Sequence, residues 1–143
     1  MDEEILYREE CYQIQGAVFE VYREMGCGFL EAVYQECLGK ELSKRGIPFV
    51  AHPELRLCYK SEPLRQTYIP DFICHESIVE LKRFLSQQEN IALHSHSTKL
   101  ANNASKSLVK AQVLNYLKAT GMSLGLLVNF GCHSKATIEG IVL

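Results

Sequence analysis

The sequence predicts a single α/β domain, residues 1–143, in which a mixed β-sheet is flanked by helices. Two observations support this prediction. A chain of 143 residues with 47% apolar and 22% charged residues suits one globular domain with a sizeable core. Along the chain, the apolar spacing changes between the helical and the strand period, in the order α, α, β, β, β, α, β, β.

Two amphipathic helices are predicted in the first third of the chain. The first covers Glu4 to Met25, where apolar residues recur at close to helical spacing, and Gly26 ends it. The second covers Leu30 to Lys44 and carries a similar stripe. It ends before Gly46 and Pro48, because neither residue continues a helix well.

The middle of the chain predicts three strands. Phe49 to Tyr59 alternates apolar and polar residues, and a turn over residues 60–63 follows. Two further runs, Arg65 to Ile73 and Ile78 to Lys82, flank a polar turn at residues 75–77. This arrangement is typical of a β-hairpin.

The last part of the chain predicts one helix and two strands after a polar segment. Phe84 to Ser107 is rich in Ser, Asn, Gln and His and shows no long apolar period. A helix is expected from Ser107 to Ala119, a buried strand from Ser123 to Phe130, and an edge strand from Ala136 to Val142.

Charged residues inside the hairpin point to a site. Strand alternation places Glu80 and Lys82 on one face and Val79 and Leu81 on the other. Charges within an apolar strand are costly unless they pair or bind a metal. The hairpin could also bring Asp71 close, giving two hard oxygen ligands and one positive charge. This combination suits Mg²⁺ acting on a phosphodiester, while the alternative is a structural Glu-Lys pair at a strand end.

The order of these residues resembles a known nuclease motif. Pro70-Asp71 followed by Glu80-x-Lys82 resembles the PD-(D/E)XK motif, and residues 28–34, Gly-Phe-Leu-Glu-Ala-Val-Tyr, match the signature of the GxxExxY protein family within that nuclease-like superfamily. The resemblance continues in the family's order through Gln112-x-x-Asn115-Tyr116-Leu117, Thr120-Gly121 and Gly125-Leu-Leu-Val-Asn-Phe130.

The resemblance implies a restriction-endonuclease-like core and a metal-dependent nuclease that hydrolyses DNA. Asp71, Glu80 and the carbonyl of Leu81 would hold Mg²⁺ or Mn²⁺, and Lys82 would orient the attacking water or stabilise the transition state. The competing hypothesis is a catalytically inactive nuclease-like module for nucleic-acid binding or assembly. The modest positive charge of the chain, whose net charge is −2, and the absence of a dedicated DNA-binding domain favour this module or a missing partner.

The resemblance also assigns roles to helical residues. Glu31 would add a carboxylate, although an acid in a first helical turn also interacts favourably with the helix dipole. Gln112 would lie beside the metal, and Tyr116 projects with it at i, i+4. The alternative for this pair is an exposed polar stripe. Tyr34 is expected to be a core aromatic residue with a bonded hydroxyl.

Residues 84–107 are expected to be a flexible insertion, because the equivalent link in the family pattern is shorter. The segment contains Lys99 and Lys106, and Lys110 follows it. Glu89 is the only acid from residue 83 to 118. It is therefore predicted to close over bound nucleic acid, with these lysines contacting phosphates. The alternatives are a solvated helix face and a segment that docks on another subunit.

Other residue types give weaker indications. The six cysteines form no C-x-x-C pair, so most are expected to be core thiols, and a metal or redox sensor is a minor hypothesis. His94 and His96 lack a nearby ligand partner, and the adjacent pair Cys132-His133 does not by itself provide catalytic geometry. No membrane span or signal peptide is apparent, so the expected location is the cytoplasm.

Overall fold

The computed structural model describes residues 8–75, 77–82, 96–131 and 135–143. These residues form three helices and seven strands, which confirms the predicted mixed α/β class. In chain order, the elements are α1 (Arg8–Met25), α2 (Glu31–Lys44), β1 (Phe49–Ala51), β2 (Leu55–Tyr59), β3 (Glu62–Tyr68), β4 (Phe72–Cys74), β5 (Ser77–Lys82), α3 (His96–Thr120), β6 (Leu124–Asn129) and β7 (Thr137–Val142).

Five of the strands form one mixed sheet in the order β1-β4-β5-β6-β7. β5 and β6 are parallel and α3 lies between them in the chain, whereas the other neighbouring strands are antiparallel. β2 and β3 pair with each other as a separate two-stranded sheet. Within the described ranges, no helix is long and apolar enough to cross a bilayer.

α1 and α2 pack on one face of the large sheet, here called the helix-pair face. Its core is almost wholly apolar: Ile14, Val18, Leu38 and Leu42 from the helices meet Phe72, Val79, Val128 and Phe130 from the sheet region. α2 lies against the sheet at Gly39, where an added Cβ would be in ordinary van der Waals contact with the Phe72 ring, at 3.8 Å. This face therefore contains most of the buried apolar surface of the described chain.

α3 and the small sheet cover the opposite face, here called the α3 face. Its buried cluster is smaller and centres on Tyr68, Val113 and Leu117. α3 approaches β6 very closely, since a Cβ on Gly125 would lie 2.7 Å from a Val113 methyl group. A residue without a side chain is therefore required at position 125 for this packing.

Two strands predicted as continuous are broken in the structure. The expected strand from Phe49 to Tyr59 divides into β1 and β2 because His52, with φ of 51°, and Pro53 turn the chain. The expected strand from Arg65 to Ile73 divides at residues 69–71, where the chain passes from the small sheet into β4. The hairpin itself is confirmed, because β4 and β5 pair antiparallel with Cys74 opposite Ser77.

α3 begins at His96, which corrects the expectation that regular structure starts near Ser107. The sequence of its first half is polar, and among the side chains that the structure describes, Val109, Val113 and Leu117 form the buried stripe. Periodicity therefore could not reveal its start. Residues 83–95, including His94, lie outside the described residues, as do Cys132 and His133. The proposed flexibility of 84–107 stays a prediction.

Candidate active site

The β4–β5 hairpin sorts its side chains between the two faces as strand alternation predicts. Val79 is fully buried in the core of the helix-pair face. The next residue, Glu80, is 9% exposed and contacts Tyr68 of the α3 face cluster. The hairpin register pairs Phe72 with Val79. Continuing that register by one residue brings Asp71 opposite Glu80.

Glu80 is held by an aromatic pair. The Tyr68 hydroxyl donates a hydrogen bond to Glu80 Oε1. The Tyr68 ring stacks on Tyr116 of α3 with ring centroids 3.6 Å apart and an interplanar angle of 5°. Burying a carboxylate is costly, and a hydrogen bond to the charged form offsets part of that cost. Tyr68 therefore connects the end of the small sheet with α3 and the proposed ligand Glu80.

Asp71 is held from the other side by α2. Gln35 Nε2 donates to Asp71 Oδ1 at 3.2 Å. The same amide nitrogen contacts His52 Nε2, and the His52 backbone N–H donates to the Asp71 carbonyl at 3.0 Å. An amide nitrogen carries two hydrogens, which is enough for both of its contacts. The turn at His52 thus fixes both the backbone and the side chain environment of Asp71.

The electrostatic environment of Tyr68 includes both carboxylates. The pKa of the Tyr68 phenol is raised far above its usual value, chiefly by burial, then by its hydrogen bond to Glu80 and by the negative charges of Glu80 and Asp71. Both carboxylates therefore lie close enough to act on one hydroxyl. The phenol stays protonated at neutral pH and can serve as a donor.

Leu81 and Lys82 extend β5 beyond Glu80. Their backbones pair with Val128 and Asn129 of β6, so Lys82 and Asn129 end two parallel strands at the same edge of the sheet. The side chains of Leu81 and Lys82 lie outside the described part of the chain. Asn129 is 7% exposed, and its Oδ1 accepts a hydrogen bond from the Gly131 backbone N–H at 2.8 Å.

The turn into α2 places Glu31 and Tyr34. Gly28 has a φ of 109°, a conformation that side chains disfavour, and Glu31 is the first residue of α2. Glu31 precedes Gln35 by one helical turn, so both lie on the α2 side that reaches Asp71. Tyr34 is buried, donates to the Gly26 carbonyl at 2.6 Å and stacks on Phe130. The prediction of a core tyrosine with a bonded hydroxyl is confirmed.

The α3 residues proposed for the site are only partly described. Gln112 is exposed and lies one turn from Tyr116. Lys110 forms a 2.7 Å ion pair with Glu139 of β7, and both side chains are about half exposed. Lys99 and Lys106 lie on α3, but their side chains are outside the described part. The contact of Lys110 with nucleic acid stays a prediction.

Other ligand types are dispersed. Among the described residues, no cluster of three or more His, Cys, Asp and Glu side chains is placed to hold a metal ion. The described cysteines are all free thiols; Cys74 is buried, while Cys27 and Cys58 are exposed. The expectation that most are core thiols holds for Cys74 and in part for Cys11 and Cys37, which are half-buried and pack against the helix-pair core, but not for the two exposed residues.

Sequence reasoning did not find Gln35, His52 or Tyr68. A signal existed for Gln35, because it lies four residues after Glu31 on the same helix face. Tyr68 precedes Asp71 by three residues, and in one continuous strand that spacing would put the two side chains on opposite faces. His52 gave no signal, since its position depends on the break between β1 and β2.

Comparison with known families identifies the superfamily of the chain. The model of the PD-(D/E)XK nuclease superfamily matches residues 8–141, so the chain belongs to this superfamily and has its restriction-endonuclease-like fold. The match supports a nuclease-like function. Membership of the GxxExxY family within it stays a prediction. Searches of curated proteins and of solved structures give no significant match.

Proposed function

We propose that the protein is a metal-dependent nuclease that hydrolyses DNA phosphodiester bonds, with Asp71 and Glu80 in its active site. The observation that carries the proposal is the hairpin register, which continues to Asp71 opposite Glu80 next to the Tyr68 hydroxyl, in a chain of a nuclease superfamily. Glu80 is a buried acid within β5, and Asp71 is a half-buried acid just before β4. Such acids are unusual unless they have a functional or ionic partner.

The donor set fits a hard divalent cation. Carboxylate oxygens are the ligands that Mg²⁺ and Mn²⁺ prefer, and two carboxylates suffice for Mg²⁺, which retains several waters. Asp71 and Glu80 would hold the ion, with the Leu81 carbonyl as a third oxygen donor. Both acids are fixed by hydrogen bonds from Gln35 and Tyr68, as ligating carboxylates usually are.

When bound, such an ion polarises a phosphoryl oxygen and lowers the pKa of a coordinated water. Lys82 would orient the attacking water or stabilise negative charge in the transition state. Glu31 and Gln112 would approach from α2 and α3, on opposite faces of the sheet. Their proposed part is to align the water and the phosphate.

Substrate binding would use α3. Lys99, Lys106 and Lys110 would contact backbone phosphates and Tyr116 would lie at the edge of the bound strand. Because phosphate contacts release counterions, DNA affinity should fall steeply with salt. Residues 84–107 are proposed to close over the substrate. Hydrogen exchange with and without DNA tests this, and protection that is unchanged by DNA would contradict it.

The test of the function is Asp71→Asn in a cleavage assay. The assay uses single- and double-stranded DNA and RNA with Mg²⁺ or Mn²⁺, and Glu62→Gln, on the exposed strand β3, is the matched control. Asp71→Asn should abolish cleavage and divalent-ion binding while the fold stays intact or gains stability without metal, because repulsion between carboxylates is relieved. Equal Mg²⁺ affinity in both proteins would exclude Asp71 as a ligand.

The second candidate is a nuclease-like module that binds nucleic acid or a protein partner without turnover, for instance within a homo-oligomer. The observations that favour it are the net charge of −2 and the engagement of Lys110 by Glu139. DNA affinity without cleavage of any of the four substrates would support this candidate. Metal-dependent cleavage that Asp71→Asn abolishes would exclude it.

A further inference from the structure

We propose that Gln35 and Tyr68 are positioning residues of the metal site, each donating one hydrogen bond that fixes the orientation of one ligating carboxylate. The inference rests on the proposed function and goes beyond the motif residues, because neither donor belongs to the Asp71, Glu80 and Lys82 set. The two donors come from separate elements, α2 and β3.

Tyr68 is rigidly placed for this role. Its side chain is largely buried, its ring stacks on Tyr116, and its hydroxyl donates to Glu80 Oε1. A carboxylate on a flexible glutamate has several rotamers, and one fixed oxygen restricts them. The bond therefore determines which oxygen of Glu80 is directed towards a cation.

Gln35 acts in the same way on Asp71. Its Nε2 lies 3.2 Å from Asp71 Oδ1, and its contact with His52 keeps the amide in place. The His52 backbone N–H also fixes the Asp71 carbonyl. The Asp71 carboxylate is thus constrained from α2, whereas Glu80 is constrained from the α3 face.

The chemistry of the donors suits a cation site. A phenol and a carboxamide are neutral donors. They orient the carboxylates without bringing a positive charge that would compete with a divalent ion. Partners of ligating carboxylates typically contribute about 10–100-fold to metal affinity or activity when they are removed.

The experiment compares Tyr68→Phe and Gln35→Met with two matched controls. Tyr68→Phe keeps the ring and its stack on Tyr116, and Gln35→Met keeps length and helix propensity. The controls are Tyr59→Phe, at a tyrosine that is 62% exposed, and Gln15→Met on α1. Calorimetric titration of the whole protein with Mn²⁺, without nucleic acid, gives the affinity. The Mn²⁺ dependence of cleavage and the melting temperature are measured in parallel.

The positioning role predicts that each test variant weakens Mn²⁺ binding about 10–100-fold, that both controls bind as wild type, and that the Mn²⁺ concentration for half-maximal cleavage rises by a similar factor. Unchanged Mn²⁺ affinity in Tyr68→Phe and Gln35→Met, with binding still lost in Asp71→Asn, overturns the positioning role alone, even if the melting temperature falls. Absence of Mn²⁺ binding by the wild-type protein overturns the proposed function and this inference together.

Discussion

The two faces of the sheet differ in what they bury, although the same strands supply both. On the helix-pair face, Phe72 and Val79 enter an apolar core with α1 and α2. On the α3 face, the neighbouring residue Glu80 is buried against Tyr68. A buried carboxylate adds little to stability compared with a well-packed apolar residue. The helix-pair face therefore supplies most of the apolar burial that stabilises the fold, while the α3 face combines a smaller apolar cluster with the hydrogen-bonded pair of Tyr68 and Glu80.

The largest expected difference concerns thiol reactivity. Burial in the helix-pair core raises the pKa of the Cys74 thiol to about 12, whereas Cys58 is exposed. The thiolate is the reactive form, and an unperturbed thiol has a pKa of about 8.5. At pH 8, Cys74 should therefore react roughly a thousandfold more slowly than an ordinary exposed thiol.

Alkylation at pH 8, followed by mass-spectrometric mapping of each peptide over time, measures these rates. Cys58 and Cys27 should be modified early and Cys74 only after unfolding in denaturant. Modification of Cys74 at the rate of Cys58 in the native protein would show that the helix-pair core opens readily. This result would contradict the view that the helix-pair face is the stable core of the fold.

A second test compares adjacent residues of β4. Phe72 is 1% exposed and makes an edge-to-face contact with Phe49, so Phe72→Ala should lower the free energy of unfolding by about 3–5 kcal/mol. Ile73, which alternates to the other side and is only half-buried, is the control. Ile73→Ala should cost clearly less. Denaturant titration measures both, and equal losses would contradict the assignment of the main core.

Much of this architecture could be predicted from the sequence because it follows from local periodicity. Apolar residues at helical spacing predicted α1 and α2, and strand alternation correctly placed Val79 and Glu80 on opposite faces of the sheet. The predicted hairpin is present, and its register continues to Asp71 opposite Glu80, while their role as metal ligands stays a prediction. These features depend on residues close in the chain, where strand and helix geometry leave few choices.

The remaining features depend on contacts between distant segments. Gln35 and Asp71 are 36 residues apart, and their hydrogen bond exists only because α2 packs across the sheet. Tyr68 reaches Glu80 because the chain leaves the small sheet at residues 69–71, a break without a periodic signal. The start of α3 at His96 was equally hidden, since its first turns carry no apolar stripe.

A third test examines the packing of α3. Gly125→Ala would place a Cβ 2.7 Å from a Val113 methyl group and 3.9 Å from the Ile141 carbonyl oxygen. The overpacking should cost about 1–3 kcal/mol. Gly140→Ala is the matched control, because nothing lies within 4 Å of an added Cβ there. Equal stabilities of the two variants in denaturant titration would show that α3 adjusts freely on the sheet.

The smallest effect on stability is expected at the ion pair of Lys110 and Glu139. Both side chains are about half exposed, so a double-mutant cycle should give an interaction of about 0–1 kcal/mol. The same pair tests the role proposed for the α3 face in nucleic-acid binding. If Lys110 contacts a phosphate, Glu139→Gln should release it and strengthen DNA binding, because the competing carboxylate is removed. Lys110→Gln should reduce the slope of log affinity against log salt by about 1.

Lys118→Gln provides the matched control for that measurement, since Lys118 lies in the last turn of α3, at the opposite end of the helix from the proposed substrate lid. Titration of labelled DNA at several salt concentrations gives the affinities and slopes for all three variants. A slope that falls only in Lys110→Gln would place a phosphate contact on the α3 face. Unchanged DNA affinity in both Glu139→Gln and Lys110→Gln would show that Lys110 only forms a surface ion pair. Nucleic acid would then have to bind at another part of the surface.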